Sequence, residues 1–154
     1  MKNIALSLVL AAWVMAGIGC AVSTADYRDF VAHQPKSILV LPPINNSANV
    51  RASDAFLSSI TEPLAECGYY VYPVAVIDRL FKDNGVPTPG DMHSVSLKKI
   101  DEIIGPDAVM YITIRKWTTT YVLIDSSTIV EIAYKLVDVK SEKVIWQWSG
   151  AAQV

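Results

Sequence analysis

Clustered positive charge is missing from this chain. Its 13 lysines and arginines are scattered among 15 acidic residues, for a formal net charge of −2. A nucleic-acid surface needs a basic patch or stripe, so that class of partner is excluded. Histidine and cysteine are scarce as well: His33 and His93 stand sixty residues apart, and Cys20 and Cys67 are the two cysteines. The ligand spacing of a structural zinc site is absent, and no metal is expected. There is no G-x-S-x-G elbow, no G-x-x-x-x-G-K-[ST] phosphate loop and no G-x-G-x-x-G after the first predicted strand. No catalytic residue and no cofactor is therefore expected, and the chain reads as a non-enzyme. The longest apolar run, Ile4 to Ile18, is shorter than the ~20 residues a membrane-spanning helix requires.

That run does have a meaning. Lys2 precedes it, and Ala16-Gly17-Ile18-Gly19-Cys20 closes it with small and apolar residues. The pattern predicts a secretory signal peptide over residues 1–19 and a lipid-modified (palmitate-type) Cys20 as the first residue afterwards. An uncleaved anchor and a plain signal with an incidental cysteine are the alternatives. Gly17 stands where such signals usually carry leucine. Ala21 follows the cysteine, not the aspartate associated with inner-membrane retention in proteobacteria. The predicted address is thus the outer membrane, facing the periplasm. Residues 20–35 read as a tether, with Tyr27 and Phe30 placed to dock one helical turn.

Residues 36–154 are one domain's worth of chain. Ser37 to Leu41 is a continuous apolar run ended by Pro42-Pro43, as expected of a central strand covered on both faces. Ser53 is placed to cap a helix carrying Phe56, Leu57, Ile60, Leu64 and Cys67, with Pro63 inside it and Gly68 ending it. Cys67 lies in line with Ile60 and Leu64 and is expected to be a buried thiol. Tyr69 to Pro73 is a second strand, and Val76 to Gly85 a second helix. Val86 to Val95, with two prolines, reads as a loop. Ser96 caps a third helix that Gly105-Pro106 ends. Three strands follow: Ala108 to Trp117, Thr128 to Val139 with Val130, Ile132, Tyr134 and Leu136 on one face, and Val144 to Ser149. Gly150 to Val154 should fray, or the chain is cut short there. The predicted order is β-α-β-α-α-β-β-β, an α+β fold with a mixed sheet and helices mainly on one face.

Three groups are candidate sites. Asn45, Asn46 and Ser47 follow the first strand, where open sheets often bind ligands, although turn chemistry alone explains them. Asp91 and His93, or Cys67 with His93, would be the nearest thing to a reactive set. Trp117, Trp146 and Trp148 are either core packing or an aromatic patch for a protein partner. Thr118 to Tyr121 is polar and β-prone, and fits an exposed edge.

Several segments taken in order carry a family resemblance. These are Ile38-Leu39-Val40-Leu41-Pro42-Pro43, Asn46-Ser47, Gly68-Tyr69-Tyr70-Val71-Tyr72-Pro73-Val74, Phe81-Lys82-Asp83-Asn84-Gly85, Asp91-Met92-His93, Asp107 to Thr113 and Lys135-Leu136-Val137-Asp138-Val139. Together they resemble a family of small proteobacterial lipoproteins that includes a meningococcal genome-derived surface antigen. The resemblance implies a fold similar to the amino-terminal domain of the Tol-system protein TolB. The curli secretion channel subunit and the outer-membrane lipoprotein activators of penicillin-binding proteins share that architecture. It implies protein partners, with a curli-channel-like lipoprotein among them, and a role as an accessory of an envelope assembly or secretion complex. Self-association is compatible with it. A regulator of a cell-wall synthase is the alternative reading, and a small-ligand receptor or hydrolase the alternative from another class. Family members usually continue into a longer tail, which this chain does not show.

Overall fold

The computed structural model describes residues 27–122 and 125–153, so the predicted signal peptide and Cys20 lie outside the described residues. In chain order the elements are α1 (Arg28–His33), β1 (Ser37–Val40), β2 (Ile44–Asn45), α2 (Ala52–Glu66), β3 (Tyr70–Val71), α3 (Val74–Asp83), α4 (Pro89–Ser94), α5 (Leu97–Ile103), β4 (Ala108–Val122), β5 (Asp125–Asp138) and β6 (Val144–Gln153). The sheet order is β3-β1-β4-β5-β6, with β2 also paired to β4. β1 runs parallel to both β3 and β4, whereas β4, β5 and β6 form an antiparallel meander. The mixed sheet of an α+β domain is therefore observed.

Prolines shape its centre. Leu41 donates its N–H to the Met110 carbonyl at 3.2 Å, and then Pro42 and Pro43 have no N–H to offer. Pairing resumes at β2, with Ile44 opposite Thr113. Val40 lies opposite Met110, so four steps along one strand match three along the other, and the register slips by one residue.

Side-chain alternation along β1 splits the core in two. Ile38 and Val40 join Met110, Ile112 and Ile114 against Phe56 of α2. Leu39 and Leu41 join Val109 on the other face, against Ile77 and Phe81 of α3, Met92 of α4 and Ile100 of α5. Helices thus cover both faces, not mainly one. A strand apolar at every position must be covered on each side, and β1 is such a strand.

Local chemistry accounts for the other differences from the sequence pattern. Residues 86–95 contain a helix, because the Thr88 hydroxyl accepts from the Asp91 N–H at 3.1 Å and Pro89 occupies the first helical position. α2 begins one residue before Ser53, whose hydroxyl reaches the Pro43 carbonyl at 3.5 Å; Asn49 Oδ1 accepts from the Arg51 N–H at 3.0 Å instead. Cys67 is exposed, not buried, since it sits at the C-cap of α2 beyond the last apolar turn. Gly68 ends that helix at φ 90°, a left-handed conformation that glycine adopts without strain. Thr118 to Tyr121 belongs to β4, and β6 stays paired as far as Gln153 opposite Ile129 instead of fraying at Gly150. Ser96 caps α5 as expected, accepting from the Lys99 N–H at 3.3 Å.

Two polar clamps close the ends. Asp107 Oδ2 accepts from the Lys36 N–H, the Ser37 N–H and the Ser37 hydroxyl at 2.9, 3.0 and 3.1 Å, fixing the start of β1 beside β4. Burial pushes the Asp107 carboxyl up. Those three hydrogen bonds and the charge of Lys140 outweigh it, leaving its pKa below the ordinary value. α1 docks through Phe30, whose ring meets Tyr69 edge-on at 6.5 Å, and through an Asp29–Lys143 pair at 2.6 Å.

Candidate functional site

The β5–β6 register builds an aromatic face. Leu136 lies opposite Trp146 and Tyr134 opposite Trp148, so all four project from the side that carries α1 and α2. The Tyr134 ring lies 5.9 Å from Phe56, 6.2 Å from Trp146 and 5.8 Å from Trp148. A register shift between Ile114 and Lys116 turns Trp117 onto this same face. The structure therefore brings the three predicted tryptophans together, in two roles. Trp117 and Trp146 are half-buried against the core, whereas Trp148 is 39% exposed. The Trp148 indole lies across Gly150, where a Cβ atom would come within 2.4 Å of the ring.

Beside the ladder is an apolar groove of about 260 Å³ whose lining includes Tyr27, Phe30, Ile60, Leu64, Tyr134 and Trp146. Trp146 Nε1 is buried and has no hydrogen-bond partner among the described residues. A buried donor of this kind costs free energy unless an acceptor reaches it. Burial also raises the Tyr134 phenol pKa.

The opposite face is different in kind. A broad polar groove of about 790 Å³ is floored by Thr113, Arg115, Lys135, Gln147 and Ser149 and walled by His93. The imidazole donates from Nε2 to the Pro42 carbonyl at 3.0 Å and meets the Tyr111 ring edge-on at 5.3 Å. Lys135 Nζ lies 4.9 Å from the centre of that ring. Desolvation pulls the His93 pKa down; the Pro42 hydrogen bond opposes this and the Lys135 charge adds to it, with a net lowering. Since the folded state disfavours the imidazolium, the unfolded chain binds the proton more readily. The neutral His93 contributes stability fully above the ordinary imidazole value of ~6.5, and this is lost as pH falls from there toward the lowered pKa. His93→Gln, which keeps a donor for Pro42, is expected to flatten that part of a plot of Tm against pH.

The remaining sequence candidates are placed as follows. Asn45 and Ser47 spend their polar atoms on each other and on Asn49. The Ser47 N–H and hydroxyl donate to Asn45 Oδ1 at 2.9 and 2.7 Å, and Asn45 Nδ2 donates to the Asn49 carbonyl at 2.8 Å. Asn46 donates its backbone N–H to the Ile114 carbonyl at 2.9 Å. The loop is arranged as a turn that delivers β2 into α2. Asp91 Oδ2 accepts from the Thr88 hydroxyl at 2.6 Å and belongs to the α4 cap. Cys67 ends α2 on one face of the sheet and His93 adjoins Met92 on the other, so they do not form a reactive pair. Among the described residues no group of three or more His, Cys, Asp or Glu is arranged to hold a metal, and no helix is long and apolar enough to cross a membrane. The groove residues Phe30 and Ile60 come together only through tertiary packing, and spacing gave no sign of it. Tyr134 was visible in the alternation of its strand.

Residues 25–154 match the family model described as "Putative lipoprotein GNA1162-like". The chain belongs to the GNA1162-like lipoprotein family. A lipoprotein of this family from Neisseria meningitidis serogroup B is 41% identical over 157 aligned residues, spanning 100% of this chain and 71% of that protein. The crystal structure of lipoprotein GNA1162 from Neisseria meningitidis has 43% identity and a TM-score of 0.67, with 78% of this chain and 82% of that one covered. The LpoB C-terminal domain from Salmonella enterica has the same fold at 19% identity and a TM-score of 0.56, covering 78% and 84% of the two chains. The meningococcal family resembled by Ile38 to Pro43 and the later segments is thus the family of this GNA1162-like chain.

Proposed function

We propose that this GNA1162-like protein is anchored by lipid on Cys20 to the periplasmic face of the outer membrane and acts by binding other envelope proteins, without catalysis. The observation that carries this reading is the aromatic face. An apolar groove with an indole N–H unpartnered among the described residues sits beside a half-exposed tryptophan, and such anchors concentrate binding energy at protein interfaces. Family membership supports the anchor. The protein is an accessory of an envelope assembly or secretion complex, and a curli-channel-like lipoprotein is the first candidate partner.

Photocrosslinking in intact cells tests this. A photoreactive residue at Tyr27 or Trp148 is expected to capture one and the same protein. The same probe at Val76, exposed on α3 across the sheet, is expected to capture none of it. Trp148→Ala should cut the Tyr27 crosslink at least about tenfold, the scale of a truncated interface tryptophan. Equal capture at Val76, or no protein captured at Tyr27 and Trp148, would overturn the proposal.

A further inference from the structure

The polar groove across the sheet from the tryptophan face is built by cross-strand pairing. Tyr111, Lys135 and Gln147 form one row across β4, β5 and β6, and Thr113, Ala133 and Ser149 form the next. Residues two apart along a strand share a face, so both rows belong to one surface, and all six border the groove of about 790 Å³. The second row is made of small side chains, and it forms the hollow between the longer first row and Arg115 beyond. Its polar atoms are unspent. Among the described residues the side chains of Thr113, Gln147 and Ser149 make no hydrogen bond. Lys135 Nζ faces the Tyr111 ring at 4.9 Å and has no carboxylate at ion-pair distance among those residues. Arg115 is loosely held, by Glu131 at 3.8 Å with the two side chains 53% and 41% exposed, and such a pair contributes little. His93 is a wall only, since its Nε2 is engaged by the Pro42 carbonyl. Glu142 borders the end of the groove away from Arg115, next to Val144.

We propose that this groove binds an acidic oligosaccharide, a hydroxyl-rich chain that carries carboxylates at intervals. Its volume falls in the range of roughly 300–1,000 Å³ that holds small ligands. Lys135 lies in the row of Tyr111, and Arg115 stands four residues farther along β4, about 14 Å away at ~3.4 Å per residue. That separation suits acidic groups repeated along a chain better than one group shared by both cations. Between the cations lie the Thr113 and Ser149 hydroxyls, which both donate and accept, as sugar hydroxyls do. The Glu142 carboxylate repels an acid at the other end, so the charged groups of the ligand are directed toward Lys135 and Arg115. A peptide fits less well. β5 is paired on both sides, so its main-chain N–H and C=O groups are committed to the ladder, and an extended peptide laid on this face finds few partners for its own. The proposal does not rest on the protein-binding reading, which uses the aromatic groove on the other face.

Binding of the detergent-solubilised full-length protein to immobilised glycans tests it. The probes are uronate-, sialate- and muramate-containing oligosaccharides, their neutral counterparts, and polyglutamate as the acidic peptide. At least one acidic oligosaccharide is expected to bind about tenfold or more tightly than its neutral counterpart, and to weaken as salt is added. Lys135→Gln and Arg115→Gln should each weaken that binding by roughly tenfold, the scale of a lost hydrogen bond to a charged group, with an unchanged circular dichroism spectrum. Both side chains are exposed, so neither change is expected to disturb folding. Tyr27→Ala, in the aromatic groove, is expected to leave glycan binding intact. Acidic oligosaccharides bound no better than neutral ones, binding indifferent to both glutamine variants, or preferential capture of polyglutamate would each overturn the proposal.

Discussion

Leu39→Ala is expected to destabilise the domain by about 2–5 kcal/mol, the range for deleting a fully buried leucine side chain. For a domain of this size that is a fall in Tm of roughly 8–20 °C in a thermal melt. Leu39 has no exposed surface and lies on the strand flanked by both β3 and β4. It packs in the cluster that gathers Ile77, Phe81, Met92 and Ile100, side chains from three separate helices. All three helices meet in this one cluster, so a cavity at Leu39 loosens the floor on which they sit. Little relaxation is open to this site, because β1 is held at its start by Asp107 and at its end by Pro42-Pro43. Val76→Ala on α3 is the matched control. That side chain is 62% exposed, and its loss should stay within about 0.5 kcal/mol. A Leu39→Ala protein melting within 2 °C of the parent would show that this face contributes far less than its burial implies.

Cys20→Ser is expected to move the protein out of the membrane fraction almost completely, as a released periplasmic form or as uncleaved precursor, with loss of metabolic acyl labelling. Each buried methylene of an acyl chain contributes about 0.8 kcal/mol, and stable attachment takes two membrane signals acting together. Among the described residues no helix could substitute for the lipid by crossing the membrane. α1 offers Tyr27 and Val31 as exposed apolar groups, but six residues are too short an amphipathic surface to hold the domain alone. Fractionation and labelling separate the outcomes. Unchanged acyl labelling of the serine variant would refute the assignment of Cys20.

Much of the fold was legible from local chemistry. A run apolar at every position, Ile38 to Leu41, reads as a strand buried on two sides. Gly68 and Gly105 stop helices at left-handed φ of 90° and 69°. The alternation from Val130 to Leu136 reads as the face that packs under α2. What was not legible depends on contacts far apart in sequence. Covering both sides of β1 requires dividing the helices between two layers, and no single helix announces its layer. Cys67 shares helical spacing with Leu64, but the helix stops before that spacing can bury it. The tryptophans were identifiable as a group; the division of Trp146 into the core and Trp148 to the surface depends on the Tyr134 ring between them. Asn45 and Ser47 carry the same atoms whether they face a ligand or each other, and only geometry decides.

The parallel pairing of β1 has a consequence for the order of events as the chain is delivered from its amino terminus. Ile38 finds its neighbours at Val71 and Ala108, dozens of residues later, whereas β4, β5 and β6 meet through adjacent hairpins. Contacts so distant in sequence form slowly, since loop closure must precede them. A strand with every apolar side chain buried is thus among the first to appear and must wait for later strands to be sheltered. Its wait ends only when Met110 arrives, so nearly three-quarters of the sequence must be delivered before the central strand has a place to go.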